Sequence, residues 1–411
     1  MDFYRWAGRV VCAALLLSEP ALAEAPPPPE PSGRAVTEAA TSSDATSRDA
    51  PPPVRLDPVE VIDRRIPEER LPSPEDEPTG FGTTLRRSAY LGERLEARDL
   101  LLHAPGTTVR HLPGGSTLAL RGASPDQTLV FLDGIRLTSA AGGGLDLQTI
   151  PLSLLDELTV LRGNEGARYG AGALGGVALL RTPRAEEHLQ LRLSGGSFGT
   201  YALDAVASDR GSLFHGMAAL ALDRSEGDYP ALFDPTPSAP SARQREERVK
   251  NNDSRSGALL LKGGAYLGEL HLQALALGSL TERGLPGTLY LRDTQRRADR
   301  RLLLAIAAEP RQARDLTARA GLSYRREAHS VWGAEVPSVI SQPSVPGEDR
   351  AWQTEQAIEA RAALSWAPAS FTFLGVDASV GSESLESPYH GAPERLLLSI
   401  GAFDELYLGD A

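Results

Sequence analysis

Thiols are almost missing from this chain: its 411 residues contain one cysteine, Cys12. Cys12 lies inside an N-terminal apolar stretch that reads as a cleaved leader. The processed chain is therefore expected to carry no disulfide, no thiolate nucleophile and no cysteine-based metal site. Histidine is also sparse. Its seven copies are scattered, and no two stand at metal-ligand spacing, so no metal site is expected. Basic charge is in deficit. A formal net charge of −12 argues against a nucleic-acid partner. No Ser-His-Asp or paired-carboxylate arrangement stands out above the general polar background. Neither an enzyme nor a resident cofactor is expected.

What is present begins at the N-terminus. Arg5 and Arg9 supply a positive start, Val10 to Leu17 a short apolar core, and Ala21-Leu-Ala23 a small-residue cleavage site. This is the layout of a secretory signal over residues 1–23. The apolar core is too short to span a bilayer as a helix. A lipoprotein reading needs the apolar run before Cys12, whereas most of it follows. Residues 24–53 are rich in Pro, Ala, Ser and Glu and read as a disordered tether, because such a segment cannot bury enough surface to offset its ordering entropy. Residues 54–65 then hold a β-prone island, Leu56-Asp57-Pro58-Val59-Glu60-Val61-Ile62. An isolated extended island is suited to joining the edge of a partner's sheet; the plainer reading is the first stretch of ordered linker.

Residues 66–184 read as one compact domain. Glu93 to His103 is expected to be helical, with Ala104-Pro105-Gly106 as the stop. Strands are expected at Thr107–Leu112, at Leu118–Ala123 (which includes Arg121-Gly122), and from Gln127 to the tight reversal Asp133-Gly134. Ile150-Pro151 precedes Glu157 and the apolar alternation Leu158–Leu161. Arg162-Gly163, Tyr169-Gly170 and Gly175-Gly176-Val177 follow, in a run whose glycines allow backbone approaches that a Cβ would block. Gly170, Gly172 and Gly175 also satisfy the spacing of a dinucleotide-binding loop. That motif requires a following helix, and the continuation Val177–Pro183 is strand-like.

Taken in order, these motifs resemble the plug domain of TonB-dependent outer-membrane receptors. The resemblance implies a plug lodged in a transmembrane barrel. It implies that Leu56–Ile62 is the "TonB box" that pairs with TonB and its inner-membrane energising complex. It implies structural roles for Arg121, Gly122, Asp133, Gly134, Glu157, Arg162, Gly163, Tyr169, Gly170, Gly175 and Gly176; charges in a barrel lumen can pair at modest cost. In the family such charges help hold the plug to the inner wall, and Glu165 is read the same way. Thr138, Ser139, Gly142, Gly143 and Gly144 form a loop of the kind whose apex touches ligand. The plainer reading is a simple connection.

From residue 185 the texture changes to alternation with period two. Leu189, Leu191 and Leu193 alternate with polar residues, as do Leu316–Tyr324 and Ile358–Trp366. Segments of this kind, joined by alternately short and long connections, are the signature of a transmembrane β-barrel. The fold class expected is mainly β: a small α+β plug followed by an incomplete transmembrane antiparallel barrel. About ten strands are counted, against the roughly 22 of a plugged outer-membrane transporter. A truncated or split copy is therefore expected, seen as a curved open sheet around a plug. The function implied is energy-coupled uptake of a scarce large solute, such as a siderophore-iron chelate or cobalamin, across an outer membrane whose lipid surrounds the barrel. The alternative is a non-transporting surface or adhesion protein, or an inactive remnant.

Overall fold

The computed structural model describes residues 81–90, 97–112, 115–138, 144–162, 169, 172–183, 188–233, 245–286, 295–311, 316–333, 350–369, 372–388 and 392–406. The signal, the tether and the box-like segment Leu56–Ile62 lie outside them.

The plug is built on a five-stranded sheet in the order β1-β6-β7-β4-β5. Its strands are β1 (Phe81–Arg86), β4 (Thr128–Leu132), β5 (Ile135–Arg136), β6 (Glu157–Arg162) and β7 (Gly176–Arg181). Only the β4–β7 pair is parallel. A separate hairpin joins β2 (Thr107–Leu112) to β3 (Gly115–Leu120), and one short helix, α1 (Ala97–Leu101), packs beside it. Strands β4, β6 and β7 are almost continuously buried because both sheet faces are covered. Val130, Leu132, Ala178 and Leu180 join a large core on one face. Leu129, Phe131, Val177 and Leu179 form a second cluster with Tyr169 on the other.

Two expectations for the plug need correction. Helix α1 is described only from Ala97 to Leu101, and the chain turns from Leu102, which is exposed. The strand expected to run through Ala123 ends at Leu120. Arg121 (φ +53°) and Gly122 (φ +76°) are left-handed, so they turn the chain instead of extending it. At Asp133-Gly134 both φ values are positive (+44° and +82°), the geometry of the tight β4–β5 reversal.

The second element is a ten-stranded antiparallel sheet, here called the wall: β8 (His188–Gly196), β9 (Thr200–Arg210), β10 (Phe214–Ser225), β13 (Ser254–Leu267), β14 (Leu270–Gly284), β15 (Arg296–Pro310), β16 (Leu316–Trp332), β17 (Arg350–Ala369), β18 (Thr372–Glu386) and β19 (Glu394–Leu406). A small hairpin, β11 (Pro230–Phe233) with β12 (Arg245–Arg248), stands in the connection before β13. Each wall strand pairs with its neighbour in chain order. Among the described residues β8 and β19 are the two edges, and the barrel is incomplete. The short connections follow β9, β13, β15 and β17, while the long ones follow β10, β14, β16 and β18. The β8–β9 link, residues 197–199, is the exception to that alternation.

Alternation sorts the wall's two faces. Leu189, Leu191, Leu193, Ile306, Leu316, Ile358, Leu398 and Ile400 are exposed on the outside. Met217, Ala219, Ala221, Ala258, Leu260, Leu277, Leu303 and Ala305 point inward and share one continuous core with the plug. Many of the inward residues are small, which lets the plug approach the wall's backbone. No described helix is long and apolar enough to cross a membrane.

Candidate functional site

The site with chemical content is the contact between plug and wall. On the plug side its centre is Asp146, which opens a short 3-10 turn, Leu147–Thr149. Its Oδ1 accepts from the backbone N–H groups of Gln148 (3.1 Å) and Ser116 (3.0 Å), tying that turn to β3. Its Oδ2 pairs with Arg283 of β14, and Arg283 also donates to the Gln148 side chain. Arg283 reaches Asp299 of β15 at 3.4 Å. Asp299 in turn accepts from Arg297 Nε at 2.8 Å and faces His329 Nδ1 at 2.7 Å.

The ion ladder continues around the wall. Arg301 makes a two-pronged pair with Glu327 at 3.0 and 3.2 Å. Arg325 donates to Glu383 at 2.6 Å and sends its other nitrogen to the plug carbonyl of Leu137 at 3.0 Å. Arg361 donates to the Gly134 carbonyl and lies over the Phe131 ring. Most of these charges are buried. Such a network is tolerable only because each charge has a partner, and deleting one member leaves an uncompensated charge worth about 3–5 kcal/mol.

A second contact lies where the plug hands over to the wall. Lys262 of β13 places its Nζ 3.3 Å from Asp133, 2.9 Å from the Thr182 hydroxyl and 3.3 Å from the Pro183 carbonyl. Asp133 also accepts the Thr182 N–H at 3.0 Å. The Asp133-Gly134 reversal therefore does more than turn the chain. It presents a buried carboxylate to the wall's lysine.

The residues singled out from sequence are placed as follows. Arg162 donates to the Thr83 hydroxyl (2.7 Å) and the Pro105 carbonyl (3.2 Å), while Glu157 pairs with Arg181 (3.1 Å) and Arg86 (3.6 Å). Among the described residues both knit the plug to itself, and their partners all lie in the plug. Arg121 is exposed in its turn, with its backbone N–H on the Gly106 carbonyl. Tyr169 is buried and its ring meets Phe131 at 5.6 Å. Gly175 and Gly176 sit where a Cβ would strike backbone: the Gln127 and Leu120 carbonyls for Gly175, the Leu161 carbonyl for Gly176. Gly122 has open space, so only its φ calls for glycine. Gly163, Gly170 and Glu165 lie outside the described residues, as do Ser139, Gly142 and Gly143. Thr138 is buried and its hydroxyl accepts the Val130 N–H at 2.7 Å, a structural use. Gly144 is left-handed and packs on Pro125.

Two histidines that are far apart in sequence meet in space. His215 (β10) and His271 (β14) meet end to end inside the wall, with Nε2 atoms 2.8 Å apart and ring centroids 5.1 Å apart. His271 Nδ1 lies 3.2 Å from Glu309, and Tyr266 stacks on the His271 ring. Register makes this pair: His215 is opposite Gly264, whose missing side chain leaves room for both rings. Sequence separation of 56 residues hid it. Among the described residues no three His, Cys, Asp or Glu side chains converge as a metal set.

With this geometry in place, the relatives are informative. The TonB-dependent Receptor Plug Domain family matches residues 93–177. The vitamin B12 transporter BtuB of Vibrio vulnificus YJ016 is 39% identical over 89 residues, 21% of this chain and 14% of that protein. BtuB of Vibrio cholerae O395 is 36% identical over 101 residues, 24% of this chain and 16% of that one. Among solved structures, the siderophore receptor PirA from Acinetobacter baumannii superposes with a TM-score of 0.64 at 14% identity, covering 80% of this chain and 55% of PirA. A mutant of the ferric enterobactin receptor PfeA from Pseudomonas aeruginosa gives 0.63 at 13% identity, covering 81% and 56%. The chain thus spans little more than half of these receptors, and the matched segment about one-seventh of the BtuB proteins. Residues 93–177 are a TonB-dependent receptor plug domain, and the whole has the fold of a TonB-dependent receptor, with the plug set against the inside of an antiparallel wall.

Proposed function

We propose that this chain acts in energy-coupled uptake of a scarce, large solute across the outer membrane. The observation that carries the reading is the double anchorage of the plug, through Asp146 to Arg283 and through Asp133 to Lys262. A plug held by charge pairs to the inner wall blocks passage at rest, yet can be released by a force that breaks those pairs. The force is assigned to TonB, engaging the segment Leu56–Ile62 by strand addition. Domain limits follow the same reading: signal 1–23, tether 24–53, box 54–65, plug 66–184 and wall 185–411. The cargo is a metal chelate or a cobalamin-like molecule, the classes named for the similar transporters and receptors. Its site is assigned to the segment 138–144, on the resemblance to plug loops whose apex touches ligand. The protein binds and moves its cargo and performs no chemistry on it.

Val61→Pro tests the coupling step, because proline removes a backbone donor needed for strand addition. The expected result is loss of energy-dependent uptake with ligand binding kept at wild-type level. Unchanged uptake would remove the box from Leu56–Ile62. Loss of both binding and uptake would show that the substitution acts on the folded receptor.

A further inference from the structure

The outward face of the wall carries arginines at one level. Arg224 (β10), Arg255 (β13), Arg300 (β15) and Arg326 (β16) all point outward and are exposed. Register alone does not align them. Arg224 is opposite Arg255, and that row continues to Glu282, whereas Arg300 is opposite Leu280 and Arg326 opposite Leu302. Alignment emerges on counting from the short-connection ends of the strands. Arg224 is 10 residues from Phe214, Arg300 is 10 from Pro310, Arg326 is 10 from Leu316 and Arg255 is 12 from Leu267.

A level line across tilted strands drifts along the register in this way. Ten residues at about 3.3 Å each, on a strand tilted about 35–45°, climb about 25 Å, the height of an outer-membrane barrel's apolar band. Below the arginines the outward residues are Leu222, Leu259, Leu261, Leu302, Leu304 and Ile306, while Leu280 of β14 stands within the row, 10 residues from Leu270. Tyr201, opposite Arg224, and Tyr324, two residues before Arg326, stand at the same border, where aromatic girdles occur.

Two of the arginines have carboxylate partners. Arg255 is held by Glu282, and Arg224 is 3.8 Å from Glu226. Among the described residues Arg300 and Arg326 have no ion pair. They are diagonal neighbours on adjacent strands, since Arg300 is opposite Ala328 and Arg326 two residues away. Such a diagonal spans about 7–8 Å, a separation at which two guanidinium groups can grip one phosphate or two on the same headgroup.

We infer that Arg300 and Arg326, flanked by Arg224 and Arg255, bind the phosphate groups of an anionic glycolipid in the outer leaflet. The level of the row, at the upper border of the apolar band, assigns the anion to a lipid headgroup and not to a free solute. Planar, permanently charged guanidinium groups suit phosphate oxygens in a way a lysine does not. The inference rests on reading the wall as an outer-membrane barrel surface.

The experiment uses the full chain expressed with its signal. Outer membranes are fractionated, the protein is extracted in zwitterionic detergent, and binding of bisphosphorylated lipid A is compared with that of its dephosphorylated form. The wild type should prefer the phosphorylated form. Arg300→Gln with Arg326→Gln should weaken that binding by at least about tenfold while leaving binding of the dephosphorylated form unchanged. The corresponding double lysine variant should recover part of the loss. Arg224→Gln with Arg255→Gln should cost less, since carboxylates already occupy those groups. Equal binding by the wild type and the Arg300/Arg326 variant, with both in the outer membrane, would overturn this inference alone, and so would indifference of the wild type to the phosphates. Absence of the wild type from the outer membrane would overturn the membrane reading and this inference with it.

Discussion

Replacing Gly176 with alanine is a severe perturbation for one added methyl group. Gly176 opens β7 at φ +140°, a region that L side chains rarely adopt. The strain alone costs about 1–3 kcal/mol. The added Cβ would also meet the Leu161 carbonyl oxygen and, at 2.9 Å, the Leu120 side chain. Leu120 can turn aside. The Leu161 carbonyl cannot, because β6 is paired on both edges, with β1 and with β7. Overpacking of this kind adds about 1–3 kcal/mol. The total of about 2–6 kcal/mol compares with a whole-domain stability of about 5–15 kcal/mol. Gly122→Ala is the control: its φ is +76°, but nothing lies within 4 Å of the new methyl. That variant should lose only the strain share. Native-state trypsin cleavage of the detergent-extracted protein reads the difference, since slow cleavage tracks the open population. Each 1.4 kcal/mol multiplies that population about tenfold, so the clash share of about 1–3 kcal/mol should make Gly176→Ala be cut about 5 to 140 times faster than Gly122→Ala. Equal rates for the two variants would refute the assignment of the clash.

Asp146→Ala should loosen the plug by about 3–5 kcal/mol, because Arg283 is left buried beside an incomplete set of carboxylates. Asp146→Ala combined with Arg283→Met should recover much of that loss in urea unfolding. Leu180→Ala removes a side chain with no exposure at the sheet's centre and should cost about 2–5 kcal/mol in the same assay. The connection before β13 should respond to acid. Hydrogen bonding from Arg296 holds the Asp253 carboxyl below its ordinary value of 3.8. A depressed folded-state pKa means the contribution is present above 3.8 and is lost as pH falls through the lower folded value. Protease sensitivity of this connection should rise only below about pH 3.8, and Arg296→Gln should abolish that step.

Much of the architecture was legible in the chain because it is written locally. Alternation at Leu189, Leu191 and Leu193 fixes a strand and its outward face, since side chains on a strand point to opposite sides in turn. Asp133-Gly134 fixes a reversal, because both residues tolerate positive φ. The run around Gly176 announces close backbone approach, although not which carbonyl is approached. What tertiary structure alone decided is everything that depends on register between distant strands. Asp146 meets Arg283 across 137 residues, and Lys262 meets Thr182 across 80. Neither pair has a spacing that sequence reading could recognise. Arg162 and Glu157 looked from sequence like anchors to the wall and turn inward to the plug, because the strands they sit on pair with β1 and β7 first. His215 and His271 became neighbours only when β13 lay between their strands with a glycine at the crossing. The level row of arginines emerged only once pairing and strand ends together set each residue's height. Local chemistry selects the elements. Long-range pairing selects which side chains face one another, and no short window of sequence carries that information.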